Sequence, residues 1–187
     1  LVELAVHHFD LWAFLTGRRV VEVMAQSRSG TRDDESASVT GWLDGGVLAT
    51  AQFSERAPHQ NEIEITGNSG RLRVDCLRYD GIDWTPSGAV PARVTQRIAT
   101  TVKAITSLPA ALLRARRGGD YLDSYRNEWR HLVRVVRRGA GIESSLDDGV
   151  AALRVVLAAN ESERIGRPVR VDTCPEAIAP RGVSTEP

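Results

Sequence analysis

The chain has 187 residues, enough for one domain with a sizeable core, and its 24 Lys and Arg balance its 24 Asp and Glu. That balance gives no reason to expect nucleic acid or an anionic membrane as a partner. The two cysteines, Cys76 and Cys174, lack C-x-x-C spacing, so neither a disulfide framework nor a zinc site is expected, and a reducing compartment, the cytoplasm, is the expected location. There is no run of about eighteen apolar residues and no basic start of a signal peptide. The chain opens inside a helix without an initiator methionine, which fits a piece of something longer.

Leu1 to Gly17 reads as that helix, with Leu4, Leu11 and Leu15 as an apolar stripe and Trp12 beside it. Gly17 ends it, and Arg18 and Arg19 follow at its negative end. Glu3, His7 and Asp10 stand at i, i+4 and i+7 and so share a second face. A carboxylate one turn from an imidazole can orient it for general acid or base work. The same spacing equally fits a surface histidine that only hydrogen-bonds. His8 is turned about 100° from His7 and is expected to pack or cap. His59, in a Pro-His-Gln loop, is expected to face water.

Val21, Val23 and Ala25 alternate with polar residues in a first strand. Ser36 to Leu43 and Gly46 to Ser54 form a hairpin over Asp44-Gly45, with Val47, Ala49, Ala51 and Phe53 on one side. Glu62 to Thr66 and Arg71 to Asp75 pair next, turned at Gly67-Asn-Ser-Gly70, and Leu77 to Tyr79 begin a further strand. Residues 19 to about 85 thus read as an antiparallel meander with one dry and one mixed face.

Asp83 to Pro91 reads as loop. Arg93 to Leu108 reads as a helix that Pro109 interrupts and Ala110 to Arg117 continues; its arginine-rich end reads as a solvated helix terminus. Tyr121 to Arg138 is an amphipathic helix with Tyr125, Trp129, Leu132 and Val136 inside. Ser145-Leu-Asp-Asp148 resembles a capping box, and Leu146, Val150, Leu153 and Leu157 form the last helix's core stripe. Gly166 ends that helix, and Pro168 to Val171 add a short edge strand.

No G-x-G-x-x-G follows a strand, and no P-loop or G-x-S-x-G is present. Glu3 and His7 have no third ligand at a metal-binding spacing, so no metal is expected.

The order of motifs resembles a known family: a helix with H-x-x-D ending in Leu-Thr-Gly17, then Gly-Gly-Val-Leu-Ala at 45–49, Ile-Glu-Ile-Thr-Gly-Asn-Ser-Gly-Arg-Leu at 63–72, Ser-Ser-Leu-Asp-Asp-Gly at 144–149 and Ala-Ala-Asn-Glu-Ser-Glu-Arg-Ile-Gly at 158–166. This is similar to the C-terminal domain of the glucose–fructose oxidoreductase, inositol dehydrogenase and MocA family. The resemblance implies an α+β fold, dihydrodipicolinate-reductase-like, with a large, mostly antiparallel open sheet and helices on one face. It spans residues 1–172, with 86–120 an insertion and 173–187 a flexible tail. It also implies an NAD- or NADP-dependent oxidoreductase acting on a sugar, polyol or related CH–OH compound. The cofactor would be bound mainly by an N-terminal Rossmann domain outside these residues, leaving this stretch alone inactive. His7 would meet the reacting hydroxyl and share proton transfer with a lysine of that other domain; Glu3, where the family has aspartate, would help place the substrate or the imidazole, and Asp10 would support the site from behind. A homodimer or tetramer through the open sheet face follows as well. The alternative is a non-catalytic binding or oligomerisation domain that has lost its nucleotide-binding partner.

Overall fold

The computed structural model describes residues 2–30, 35–55, 57–58, 60–77, 82–89, 119–142 and 144–173, together with positions scattered between 98 and 116. The chain divides into two compact units, Leu1–Ala57 with Glu143–Pro187, and Pro58–Ile142.

The first unit opens with α1 (Val2–Thr16), which closes on Gly17 in the left-handed region, its N–H on the Ala13 carbonyl at 2.8 Å. Three strands follow: β1 (Val20–Arg28), β2 (Ser36–Leu43) and β3 (Leu48–Ser54). β2 and β3 are joined by one 3-10 turn at Asp44–Gly46, where Gly45 and Gly46 take φ of 73° and 81°. Together with β7 (Val169–Arg170), the two-residue strand at the end of the unit, the order is β3-β2-β1-β7, and each pairing is antiparallel. A bulge between Val20 and Glu22 shifts the register, so that Val20, not Val21, packs toward the core. Past it Val23 opposes Gly41 and Ala25 opposes Val39, which puts these residues with Ala37 and Phe53 on one face.

That face is covered by α1 and by α3 (Leu146–Ile165). The core joins Ala5 and Phe9 of α1, Val23, Ala25 and Val39 of the sheet, and Val155, Val156, Ala158 and Ala159 of α3. Burying Phe9 fully contributes about 1.5–3 kcal/mol. Ser145 caps α3 as expected: its Oγ accepts from the Asp148 N–H at 3.3 Å, and its own N–H donates to the Asp148 carboxylate at 2.7 Å. These bonds hold the Asp148 carboxyl below its usual range. Gly166, at φ 68°, ends the helix, and β7 (Val169–Arg170) then pairs with Glu22 and Val23. The expected core stripe of α3 is displaced, however. Leu146, Val150 and Leu153 face outward, and the small residues Ala152, Ala158 and Ala159 lie inside with Val155 and Val156. The stripe expected in α1 is displaced too: Leu15 is exposed, and Ala5 and Phe9 carry the burial.

The second unit holds β4 (Glu62–Gly67), β5 (Gly70–Asp75) and β6 (Ile82–Pro86), an antiparallel sheet in the order β4-β5-β6. Ile63, Val74 and Ile82 form one cross-strand row and Ile65, Leu72 and Trp84 the next, on a shared face. β6 corrects the expectation of a loop at 83–91: Ile82 and Trp84 alternate with Asp83 and Thr85, and Pro86 is tolerated because it ends an edge strand. Leu77 lies in a turn; residues 78–81, which include the rest of the strand expected there, are outside the described residues. Described positions between 98 and 116 are helical, Pro109 among them. α2 (Gly119–Arg138) follows, with Tyr125, Trp129, Leu132 and Val136 exposed instead of inside.

Ser162 is fully buried, and its Oγ accepts from the Ala25 N–H at 3.0 Å and donates to the Arg167 carbonyl at 2.7 Å. Ser162→Ala leaves both groups unpaired and is expected to cost about 1–3 kcal/mol in urea unfolding, against near zero for Ser144→Ala on the surface. Equal losses for the two would contradict the assignment.

Candidate functional site

The setting of α1 on the sheet decides which of its residues meet solvent. Ala5 and Phe9 point into the core. Trp12 lies over Gly41, and a Cβ there would stand 2.6 Å from the Trp12 ring. Phe9 and Trp12 pack ring to ring at 5.0 Å. These three anchors turn the opposite face outward. His7 is exposed on it and Asp10 half-exposed. Glu3 lies in α1, but its side chain is outside the described residues.

His8 takes the other direction. Its ring meets Phe53 edge-on at 5.1 Å with an interplanar angle of 68°. Burial, and then the neighbouring His7, push its pKa below the ordinary histidine value. His8 is therefore a neutral packing residue, as its angle from His7 anticipates. His59 is outside the described residues.

One residue on the candidate face was missed in the sequence. Phe14 follows His7 by seven residues and Asp10 by four, so helix spacing puts it on the same side, and it is 73% exposed. An acid–base group, a carboxylate and an apolar ring on one helix face can hold a small molecule that has both hydroxyls and an apolar side.

Among the described residues no three His, Cys, Asp or Glu side chains gather as a metal site, and no helix is long and apolar enough to cross a membrane. Cys76 is a free, exposed cysteine; burial of its sulfur and the adjacent Asp75 raise its pKa. Among the described residues the strand pairings are antiparallel, and no glycine-rich turn leads from a strand into a helix as dinucleotide binding requires.

The family model of the GFO/IDH/MocA C-terminal domain matches residues 1–73. A curated relative, the uncharacterized oxidoreductase YrbE of Bacillus subtilis strain 168, is 22% identical over 180 residues, which are 91% of this chain and 48% of YrbE. A probable dehydrogenase from Thermotoga maritima is similar in structure with a TM-score of 0.66 at 22% identity, over 92% of this chain and 49% of that one. The WlbA dehydrogenase from Bordetella pertussis, solved with NADH and UDP-GlcNAcA, gives 0.59 at 18% identity, over 89% and 46%. The scyllo-inositol dehydrogenase from Lactobacillus casei, solved with NAD(H) and scyllo-inositol, gives 0.57 at 18%, over 90% and 47%. The chain spans about half the length of each. The fold is accordingly the α+β fold found in these dehydrogenases. The family resemblance read from the sequence agrees with the family model over residues 1–73.

The anchors of α1 yield two tests. Gly41→Ala forces the Trp12 ring away from the sheet and is expected to cost about 1–3 kcal/mol by urea unfolding; an unchanged midpoint would show that the ring moves freely. His8 takes a proton more readily unfolded than folded. Its contribution to stability is therefore full above about pH 6.5 and is lost as pH falls through the lower folded-state value. The unfolding midpoint is expected to drop less on acidification in His8→Gln than in wild type; parallel drops would exclude His8 as the source.

Proposed function

We propose that the chain is the substrate-binding and catalytic half of an NAD(P)-dependent oxidoreductase acting on a sugar, polyol or related CH–OH compound. The observation that carries this reading is the outward His7 on α1, beside Asp10 and Phe14, on a helix whose other face is anchored in the core. NAD or NADP would supply the hydride chemistry, bound mainly by a Rossmann domain that these 187 residues do not contain. The nicotinamide cofactors and the hydroxyl-rich molecules seen with the two solved dehydrogenases support this class.

In this reading residues 1–172 form the substrate and oligomerisation domain, with 86–120 inserted. His7 moves the proton at the substrate's reacting oxygen: it accepts the hydroxyl proton in oxidation and returns it in reduction, sharing the task with a lysine of the nucleotide domain. Asp10 holds the imidazole's orientation or a second hydroxyl. Glu3, one turn before His7, receives another hydroxyl, its longer arm standing where the family has aspartate. Phe14 covers the apolar side of the ring and keeps water from the reacting carbon. The face of the first sheet not covered by helices, with Trp42 and Leu48 exposed on it, pairs with a second copy. A free Cys76 agrees with a cytoplasmic setting.

In the full-length gene product, His7→Ala is expected to lower kcat by ~100-fold or more with substrate from a sugar and polyol panel, with the fold intact by circular dichroism. Turnover that survives the substitution would remove His7 from proton transfer.

A further inference from the structure

Two helices carry apolar stripes that their own folded unit leaves uncovered. On α2, Leu122, Tyr125, Trp129, Leu132 and Val136 recur at three- and four-residue spacing, and all are exposed, Trp129 by 65%. Arg126, Arg130, Arg134 and Arg137 run beside that stripe, likewise exposed. On α3, Leu146, Val150 and Leu153 form a stripe opposite the buried alanines, with Leu146 90% exposed. Asp147 and Asp148 stand in the first turn of that helix.

The charges of the two units are opposed. Residues 58–142 contain 14 Lys and Arg against 8 Asp and Glu, and the remaining residues contain 10 against 16, an excess of six of each sign. From Trp84 to Gly119 there is no acidic residue. A partner of one sign, such as an anionic lipid surface, would attract one unit and repel the other. A second copy brings both signs, and a two-fold axis satisfies both contacts at once.

We propose that α2 of one copy docks lengthwise on the outward face of α3 of a second copy, its arginine row toward the acidic first turn of that helix, in a reciprocal pair. Apolar side chains too large for the inward face of α3 then become interface. This contact is separate from pairing through the open face of the first sheet and does not depend on the catalytic reading.

Light scattering on the full-length gene product tests it. Trp129→Glu and Leu146→Glu are each expected to halve the molecular mass, and the double substitution to go no further, since both act on one contact. Raising ionic strength is expected to loosen the wild-type assembly, because screening weakens the charge pairing. Far-UV circular dichroism confirms folding; where a glutamate variant melts early, Trp129→Gln and Leu146→Gln replace it with the same expected loss of mass. A monomeric wild type overturns the proposal. So does a mass unchanged in these variants but halved by Trp42→Glu, which would leave only the sheet-face contact. Co-sedimentation of a monomer with phosphatidylglycerol vesicles overturns it in favour of lipid.

Discussion

Ser162 is the buried polar side chain on which the first unit turns, and both of its bonds leave its own helix. β7 is two residues long and covers only Glu22 and Val23 of its neighbour. The N–H of Ala25 lies beyond that short ladder, inside the core, and would be an orphan donor. Ser162 accepts it. The same hydroxyl donates to the carbonyl of Arg167, which fixes the chain just after the left-handed turn at Gly166 and aims Val169 at β1. Sheet edge, helix depth and chain reversal are thereby coupled through one oxygen. Ser27, which donates to the Glu163 carboxylate, adds a second tie between the same strand and helix.

This tie explains why small residues line the inner face of α3. A serine reaches a strand's backbone N–H only if the helix comes close, and Ala158 and Ala159 permit that approach where leucines would hold the layers apart. α1 then fills the space beside α3 with Ala5 and Phe9. The ring of Trp12 can settle on β2 only because Gly41 has no Cβ there. Each anchor restricts the rotation of α1, and the rotation is what separates two adjacent histidines: His8 against Phe53, His7 toward solvent.

What was legible in the sequence follows the range of the interactions. The end of α1 at Gly17, the capping box at Ser145 and Asp148, the left-handed Gly166 and the turn at Asp44–Gly46 all rest on bonds between residues a few positions apart, and the local pattern declares them. The bulge after Val20 and the inner face of α3 rest on partners far along the chain. Ala25 and Ser162 are 137 residues apart. Periodicity weighted by size picks Leu146, Val150 and Leu153 as core, but close packing on a sheet rewards the alanines on the opposite side. β6 was hidden for another reason, since Pro86 and Gly88 resemble loop chemistry and only the alternation of Ile82 and Trp84 marks the strand.

The candidate site shows the same division within one helix. That Glu3, His7, Asp10 and Phe14 share a face follows from 3.6 residues per turn and needs no tertiary information. Whether that face looks outward does not follow from spacing, because Leu4, Leu11 and Leu15 offered an equally regular stripe. The choice is made by Phe9, which buries completely, and by Trp12, which needs a glycine beneath it. The candidate face of α1 is thus specified by its own spacing but exposed by the residues behind it. The Trp12 contact on Gly41 is, on this argument, as much a determinant of His7's accessibility as the neighbours of His7 on its own face.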